Sequence, residues 1–317
     1  MGGGRRGTIM LKKLIDSITR EDLIGIVNAG GGSKGSYEIG VDKQIHDMLP
    51  YQPHVYLGTS TGAINAVGMA FNGVDATLED WRSIKSREDI FTQATAFDFI
   101  SNLAFGREMD GINDWLPLYN RLYNFINGKI MRTEAIITKV NLNTGALHHQ
   151  VVSRLPNANQ IALATVASAA VPGHTKPVDY KWVDGGVREQ TPLKKAIEFG
   201  CTVIFVVLSN PWTIDPIDQA DIEILPKRLR WVKIILRTLD IISHEIMIND
   251  LNICAKRNSD PRYKKIKLIV YAPKKLLHDG DTFDPKDLNN AIELGLKDKP
   301  IFIEDGTYHG PSLVVST

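Results

Sequence analysis

The chain has 317 residues and a mass of 35.2 kDa, with 43% hydrophobic and 23% charged residues, which excludes collagen-like, disordered and disulfide-scaffold classes. Lysine and arginine number 37 against 36 aspartate and glutamate, so no global field favours a nucleic acid partner and any basic surface has to be local. The two cysteines, Cys201 and Cys254, have no ligand-like spacing and are expected as buried free thiols.

Arg5 and Arg6 precede an apolar stretch that Lys12 and Lys13 interrupt, too short for a secretory signal core. Gly2 would suit N-myristoylation, but Arg6 stands where that motif takes Ser or Thr. No run reaches the roughly 18 apolar residues of a membrane span. The expectation is a cytoplasmic chain, free or in peripheral contact with a membrane, with residues 1–21 as an N-terminal arm and 301–317 as a C-terminal tail.

Leu23 to Ala29 is a short apolar run ending at Gly30, Gly31 and Gly32, after which Tyr37, Val41, Ile45 and Met48 recur at helical spacing. A second such unit follows: His54 to Leu57 as a strand, Gly58 to Gly62 as a tight turn and Ala63 to Phe71 as a helix. Two successive β-turn-α units indicate a parallel sheet. Trp81 to Phe125 then holds nine of the 24 aromatic residues, among them Phe91, Phe97, Phe99 and Phe105. Loops at Gly106, Gly111 and Pro117 make it a helical cap over 75–130, whose aromatics either line a groove or fill the cap's own core.

Ala135 to Asn141 and Ala146 to Val152 flank Asn143-Thr144-Gly145, a hairpin signature. Beyond it come a helix at Asn159 to Ala170, a strand at Val178 to Val183, a helix at Pro192 to Phe199 and a buried strand at Thr202 to Leu208. Lys227 to Arg257 has a long helical pattern. Leu229, Val232, Ile235, Leu236, Leu239, Ile242 and Ile246 form its stripe, with Arg230, Lys233 and Arg237 opposite. Such a helix can lie on an anionic membrane or pack on the sheet, and the second use is the commoner. A strand at Ile266 to Tyr271 and a helix from Pro285 to Leu296 complete the pattern.

Gly30-Gly31-Gly32-Ser33-Lys34-Gly35 has the spelling of a dinucleotide fingerprint, but Leu57-Gly58-Thr59-Ser60 stands where the ribose-binding acid is wanted. A nucleoside-triphosphate loop is excluded because Lys34 precedes Gly35. What remains is a set of backbone N–H groups at a helix start, suited to a negative charge; in an acyl-transfer enzyme that charge is an oxyanion. Gly58-Thr59-Ser60-Thr61-Gly62 between strand and helix is the nucleophile-elbow arrangement, with Ser60 at its tip. Serine needs a base. His148, His149, His174, His244, His278 and His309 all follow it, none at the end of a strand, whereas Asp184 ends a strand and precedes Gly185 and Gly186. An aspartate can itself be the base.

These three motifs, in this order after strands, resemble the patatin-like phospholipases, with support from the segment ALATVASAAVPGHTKPV before the aspartate strand and from the Pro192 helix. The resemblance runs from about Leu23 to Leu296 and implies a three-layer α/β fold with a mostly parallel sheet, a patatin-like phospholipase domain over 22–300, and hydrolysis of lipid acyl esters without metal or cofactor. Carried over by position, Ser60 is the nucleophile, Asp184 the general base, and Gly30, Gly31 and Gly32 the oxyanion loop. Lys34, Gly35, Gly58, Gly62, Gly185 and Gly186 support the motifs. Two departures stand out: Lys34 where the family usually has Arg, and Gln190 where it commonly has Asn, the latter expected to be tolerated. The expected partner is a lipid substrate. An acyltransferase, lysophospholipase or triacylglycerol lipase using the same dyad is the alternative, a non-catalytic lipid- or nucleotide-binding module the remote one, and oligomeric state stays open.

Overall fold

The computed structural model describes residues 3–93, 111, 113–212 and 230–304. Phe97, Phe99, Phe105, Gly106, Lys227, Leu229 and His309 lie outside the described residues, as do the side chains of Arg5, Arg6, Arg230, Val232, Lys233, Ile235, Leu236, Arg237 and Leu239. In chain order the first half contains α1 (Gly3–Asp16), β1 (Ile24–Asn28), α2 (Gly35–Met48), β2 (Val55–Gly58), α3 (Thr61–Arg82), β3 (Thr92–Gln93), β4 (Asn113–Asp114), α4 (Leu116–Ile126), β5 (Glu134–Asn141) and β6 (Leu147–Val151). The second half contains α5 (Ala158–Ser168), β7 (Trp182–Asp184), α6 (Leu193–Phe199), β8 (Val203–Val207), α7 (Arg230–Ser259), β9 (Lys267–Tyr271), α8 (Pro285–Gly295) and β10 (Phe302–Glu304).

The main sheet runs β10-β9-β8-β1-β2-β5-β6, parallel from β9 through β5 and antiparallel at both edges. Its central strands are buried on both faces, which explains why they read as continuous apolar runs. Alternate side chains serve two cores: Ile24, Ile26, Tyr56 and Phe205 pack under α2, α3, α5 and α8, while Val27, Leu57, Ile204 and Val206 pack under α6 and α7. This is the three-layer α/β architecture. The catalytically relevant detail is β5, eight residues long. Its first half pairs with β2 and its last residues, Lys139 to Asn141, pair antiparallel with β7 on the same side, so that β7 continues the line of β2 and brings Asp184 beside the turn at Ser60.

Several elements depart from the sequence expectation. The N-terminal arm is a helix, because Leu11, Leu14 and Ile18 recur at helical spacing and dock into the first core. The helix after Ser60 extends to Arg82, with a break at Gly73 (φ 83°). Pro117 sits in the first turn of α4 rather than in a loop, where its missing N–H costs nothing. Val178 to Val183 is not one strand: Asp179 and Tyr180 take φ of 51° and 52°, the chain turns back so that Val178 bridges Trp182, and only the last three residues pair. Residues 302–304, expected in a tail, form the edge strand β10. In α7 the core face is His244, Met247, Leu251 and Cys254, whereas Ile242 of the expected stripe is exposed. Cys201 and Cys254 are both buried free thiols.

Candidate active site

Ser60 sits between β2 and α3 with φ 56° and ψ −124°, a conformation that a non-glycine residue adopts only under strain. The flanking glycines make it possible by close approach. A Cβ on Gly58 would overlap the Gly62 carbonyl, and one on Gly62 would overlap the Asn28 carbonyl. The elbow is braced on all sides: the Ser60 N–H donates to Ser168 Oγ (3.1 Å), Thr59 Oγ1 lies 2.6 Å from Thr138 Oγ1, and Thr59 Oγ1 also donates to the Glu189 carbonyl (3.1 Å). Ser60 is the residue immediately before α3, so the positive end of a long helix faces its oxygen.

Asp184 is 4% exposed. Burial raises its pKa to about 6, and the Ser60 hydroxyl and the Gly186 N–H (2.7 Å to Oδ1) offset part of that rise. Its Oδ2 has no fully formed hydrogen bond, so the serine contact is close enough to favour the ionised form yet loose, as is common before substrate tightens such a site. Gly185 permits this arrangement because a Cβ there would overlap Thr138.

The glycine loop lies across the same space. The Gly30 N–H is already engaged by Gln190 Oε1 (3.0 Å), and the Gly30 carbonyl accepts from Ser209 Oγ (2.6 Å). Among the described residues the N–H groups of Gly31 and Gly32 have no protein partner. The loop rests on residues 279–280, with Ser33 N–H donating to the Gly280 carbonyl (2.7 Å). Lys34 does not solvate a helix start, as a surface lysine would; it is 9% exposed and its Nζ donates to Asn210 Oδ1 (2.7 Å). Gly35, at the start of α2, approaches Thr61 closely.

All of these groups line one cavity of about 340 Å³. From Ser60 it follows α3 past Ile64 and Gly68, and is closed by aromatic and aliphatic side chains of the cap, including Trp81, Phe91, Leu122 and Phe125. The groove and the core readings of the aromatic stretch are therefore both right in part, since Trp115, Tyr119 and Tyr123 instead pack on the core. The cavity is apolar along this arm and polar only at Ser60, Asp184 and the glycine loop, the composition expected for an acyl chain and its ester.

His174 also lines the cavity, but its ring packs edge-on against Phe91 at 5.4 Å and the charges acting on it are Asp281 and Arg87. His149 pairs with Glu189 (2.5 Å) and His148 stacks on Trp182. Among the described residues no group of three or more His, Cys, Asp or Glu is arranged to hold a metal, and no helix is long and apolar enough to cross a membrane. Three contributors escaped the sequence reading: Ser168, Ser209 and the bracing role of Gln190, which bridges the glycine loop and, through close contact with Gly186, the aspartate turn. Only Gln190 carried a signal, as the departure from the family pattern.

The fold and site thus define an α/β protein with a nucleophile elbow at the carboxyl end of a parallel sheet. The family model for patatin-like phospholipases matches residues 26–197, more than half of the chain, and the chain belongs to that family. No curated protein matches it significantly. The crystal structure of VipD from Legionella pneumophila is similar at 12% identity and a TM-score of 0.35. That match covers 87% of this chain, which spans 65% of the VipD chain.

Proposed function

We propose that this protein hydrolyses acyl esters of phospholipids, a phospholipase A type activity, through a dyad of Ser60 and Asp184. The observation that carries the reading is the meeting of a strained serine and a buried carboxylate, its pKa pushed up to about 6, at the polar end of an otherwise apolar cavity. Membership of the patatin-like phospholipase family supports the lipid acyl hydrolase class.

Asp184 accepts the Ser60 proton as Oγ attacks the ester carbonyl, and the Gly31 and Gly32 N–H groups, with the α3 N-terminus, stabilise the oxyanion. Gly30 then serves by holding the loop on Gln190. Collapse of the tetrahedral intermediate breaks the ester C–O bond, and the departing alcohol takes the proton from Asp184. Water, deprotonated by Asp184, next attacks the acyl-enzyme, and fatty acid leaves as Ser60 regains its proton. A carboxylate of ordinary pKa would be a weak base for this work; burial supplies the increase.

Reaction with a fluorophosphonate, read by intact mass, is expected to add one probe to the protein and none to Ser60→Ala. Absence of labelling in the parent protein, or labelling that survives Ser60→Ala, refutes the dyad.

A further inference from the structure

Strand β5 outruns β2. Gly58, the last residue of β2, pairs with Ile137, and the turn after β5 begins at Leu142, roughly 16 Å further along at about 3.3 Å per residue. That turn therefore stands above the sheet end that carries Ser60. Beside it lies the turn before β7, tied on by the Leu142 N–H donating to the Lys181 carbonyl (2.7 Å). At their tips Leu142 is 54% and Tyr180 72% exposed. Tyr180 and Asp179 are held in the left-handed region, a conformation costly for tyrosine that turns its ring outward instead of into the core.

Below the two tips is a cluster of cations around one aromatic ring. Lys139 Nζ lies 4.3 Å and Lys181 Nζ 5.1 Å from the centroid of Trp182, and His148 meets the same ring edge-on at 4.8 Å. Among the described residues neither lysine is within ion-pair distance of a carboxylate, and Asp179 is the one carboxylate whose charge bears on Lys139. Burial, and then the neighbouring lysine charges, hold the Lys139 and His148 pKa values below their usual ranges. The crowding is an unrelieved repulsion that an anion would relieve. Arg188 adds a third permanent cation, its Nη1 donating to the Gly145 carbonyl (2.7 Å), and the residues just before it, Gly186 and Val187, line the Ser60 cavity.

We propose that this edge is the surface by which the protein docks on an anionic lipid membrane, with Leu142 and Tyr180 entering the interface and Lys139, Lys181 and Arg188 meeting headgroup phosphates. The inference rests on the lipid hydrolase reading for its purpose, though the surface itself was found independently of Ser60. A lipid surface fits better than another polyanion because the cations flank exposed apolar and aromatic tips. Tyr and Trp settle at the headgroup level, and lysine stems lie along apolar material with their charges in water. Docked this way, the sheet end that carries the cavity faces the source of substrate.

The test uses Ser60→Ala protein, which cannot consume the lipid, in co-sedimentation with phosphatidylcholine vesicles with and without phosphatidylglycerol. Binding is expected only with phosphatidylglycerol. Lys181→Gln with Arg188→Gln should weaken it roughly 25-fold, from about fivefold per basic residue at an anionic surface. Leu142→Ser with Tyr180→Asn should weaken it at least tenfold at equal charge. With Ser60 intact, the same variants should keep turnover of a short soluble ester and lose turnover of vesicle lipid. No binding by the Ser60→Ala parent, equal binding to both vesicles, or unchanged binding by both double variants with loss instead in Ile241→Ser/Ile242→Ser on α7, overturns the proposal. Failure of the hydrolase reading looks different: the parent with Ser60 would turn over no soluble ester while binding followed the pattern above.

Discussion

Two groups of buried carboxylates lie close to the glycine loop, and only one of them is built for chemistry. Asp184 opens on the cavity beside a serine. Asp42 and Glu38, both on α2, are sealed: Asp42 Oδ2 accepts from Asn28 Nδ2 (2.6 Å), and Glu38 Oε2 from Asn65 Nδ2 (3.2 Å), whose own carbonyl oxygen accepts from Trp81 Nε1 (2.7 Å). Burial is the largest cause of the raised pKa in every case, to about 6 for Asp184, about 8 for Asp42 and well above the usual carboxylate range for Glu38. The larger perturbation is thus at the inert site. A shifted carboxylate marks desolvation, and it becomes a candidate base only where a nucleophile and room for substrate meet it. At α2 the protonated acids link the helix to β1 and α3 and leave Glu38 Oε1 and Asp42 Oδ1 without partners.

The contrast is broken most directly by removing members of each group. Ser60→Ala and Asp184→Asn are each expected to lower kcat/KM on a lipid ester by on the order of a thousandfold or more, because the two act as a unit. His174→Ala should stay within about tenfold, since its ring serves the cavity wall. Steady-state kinetics on variants whose circular dichroism matches the parent decide the matter. If His174→Ala were as inactive as Ser60→Ala, Asp184 would be an orienting residue of a triad instead.

A smaller effect is expected in the pH profile. Only ionised Asp184 can take the serine proton, so kcat/KM should fall about tenfold per pH unit below about 6 and level off above it. A limb at the ordinary carboxylate value would mean that the site is better solvated than its 4% exposure implies.

How far these distinctions could be read from sequence depends on how local their causes are. The elbow and the glycine loop are written contiguously, as Gly58 to Gly62 and Gly30 to Gly35, because each needs consecutive residues at one strand end. Asp184 was legible from its glycines, but not the reason it reaches Ser60. That depends on β7 extending the line of β2 along a β5 long enough for both, a property of pairing register. Gln190, Ser168 and Ser209 hold the site from distances of 108 to 179 residues along the chain, and no short pattern encodes such contacts. The failed strand at Val178 shows the opposite limit: Asp179 and Tyr180 carry no glycine to announce a left-handed turn, and β-branched neighbours favoured extension.

Asp42→Asn sharpens the comparison from the inert side, where the expected change in activity is smallest. Folded Asp42 holds its proton up to about pH 8, whereas in the unfolded chain it ionises near 3.8. Its contribution to stability is therefore complete below the unfolded value and is lost progressively as pH rises through the window to about 8. Glu38 acts in the same direction, and Asp184 adds a like dependence that ends near pH 6. The parent melting temperature should consequently decline from acid toward pH 8. Asparagine is neutral throughout and can keep the contact to Asn28 through its carbonyl, so Asp42→Asn should flatten the upper part of that decline while changing kcat/KM by no more than about threefold. A melting profile of unchanged slope would mean that Asp42 ionises in the folded protein, and a large loss of activity would mean that the α2 acids couple to Ser60 after all.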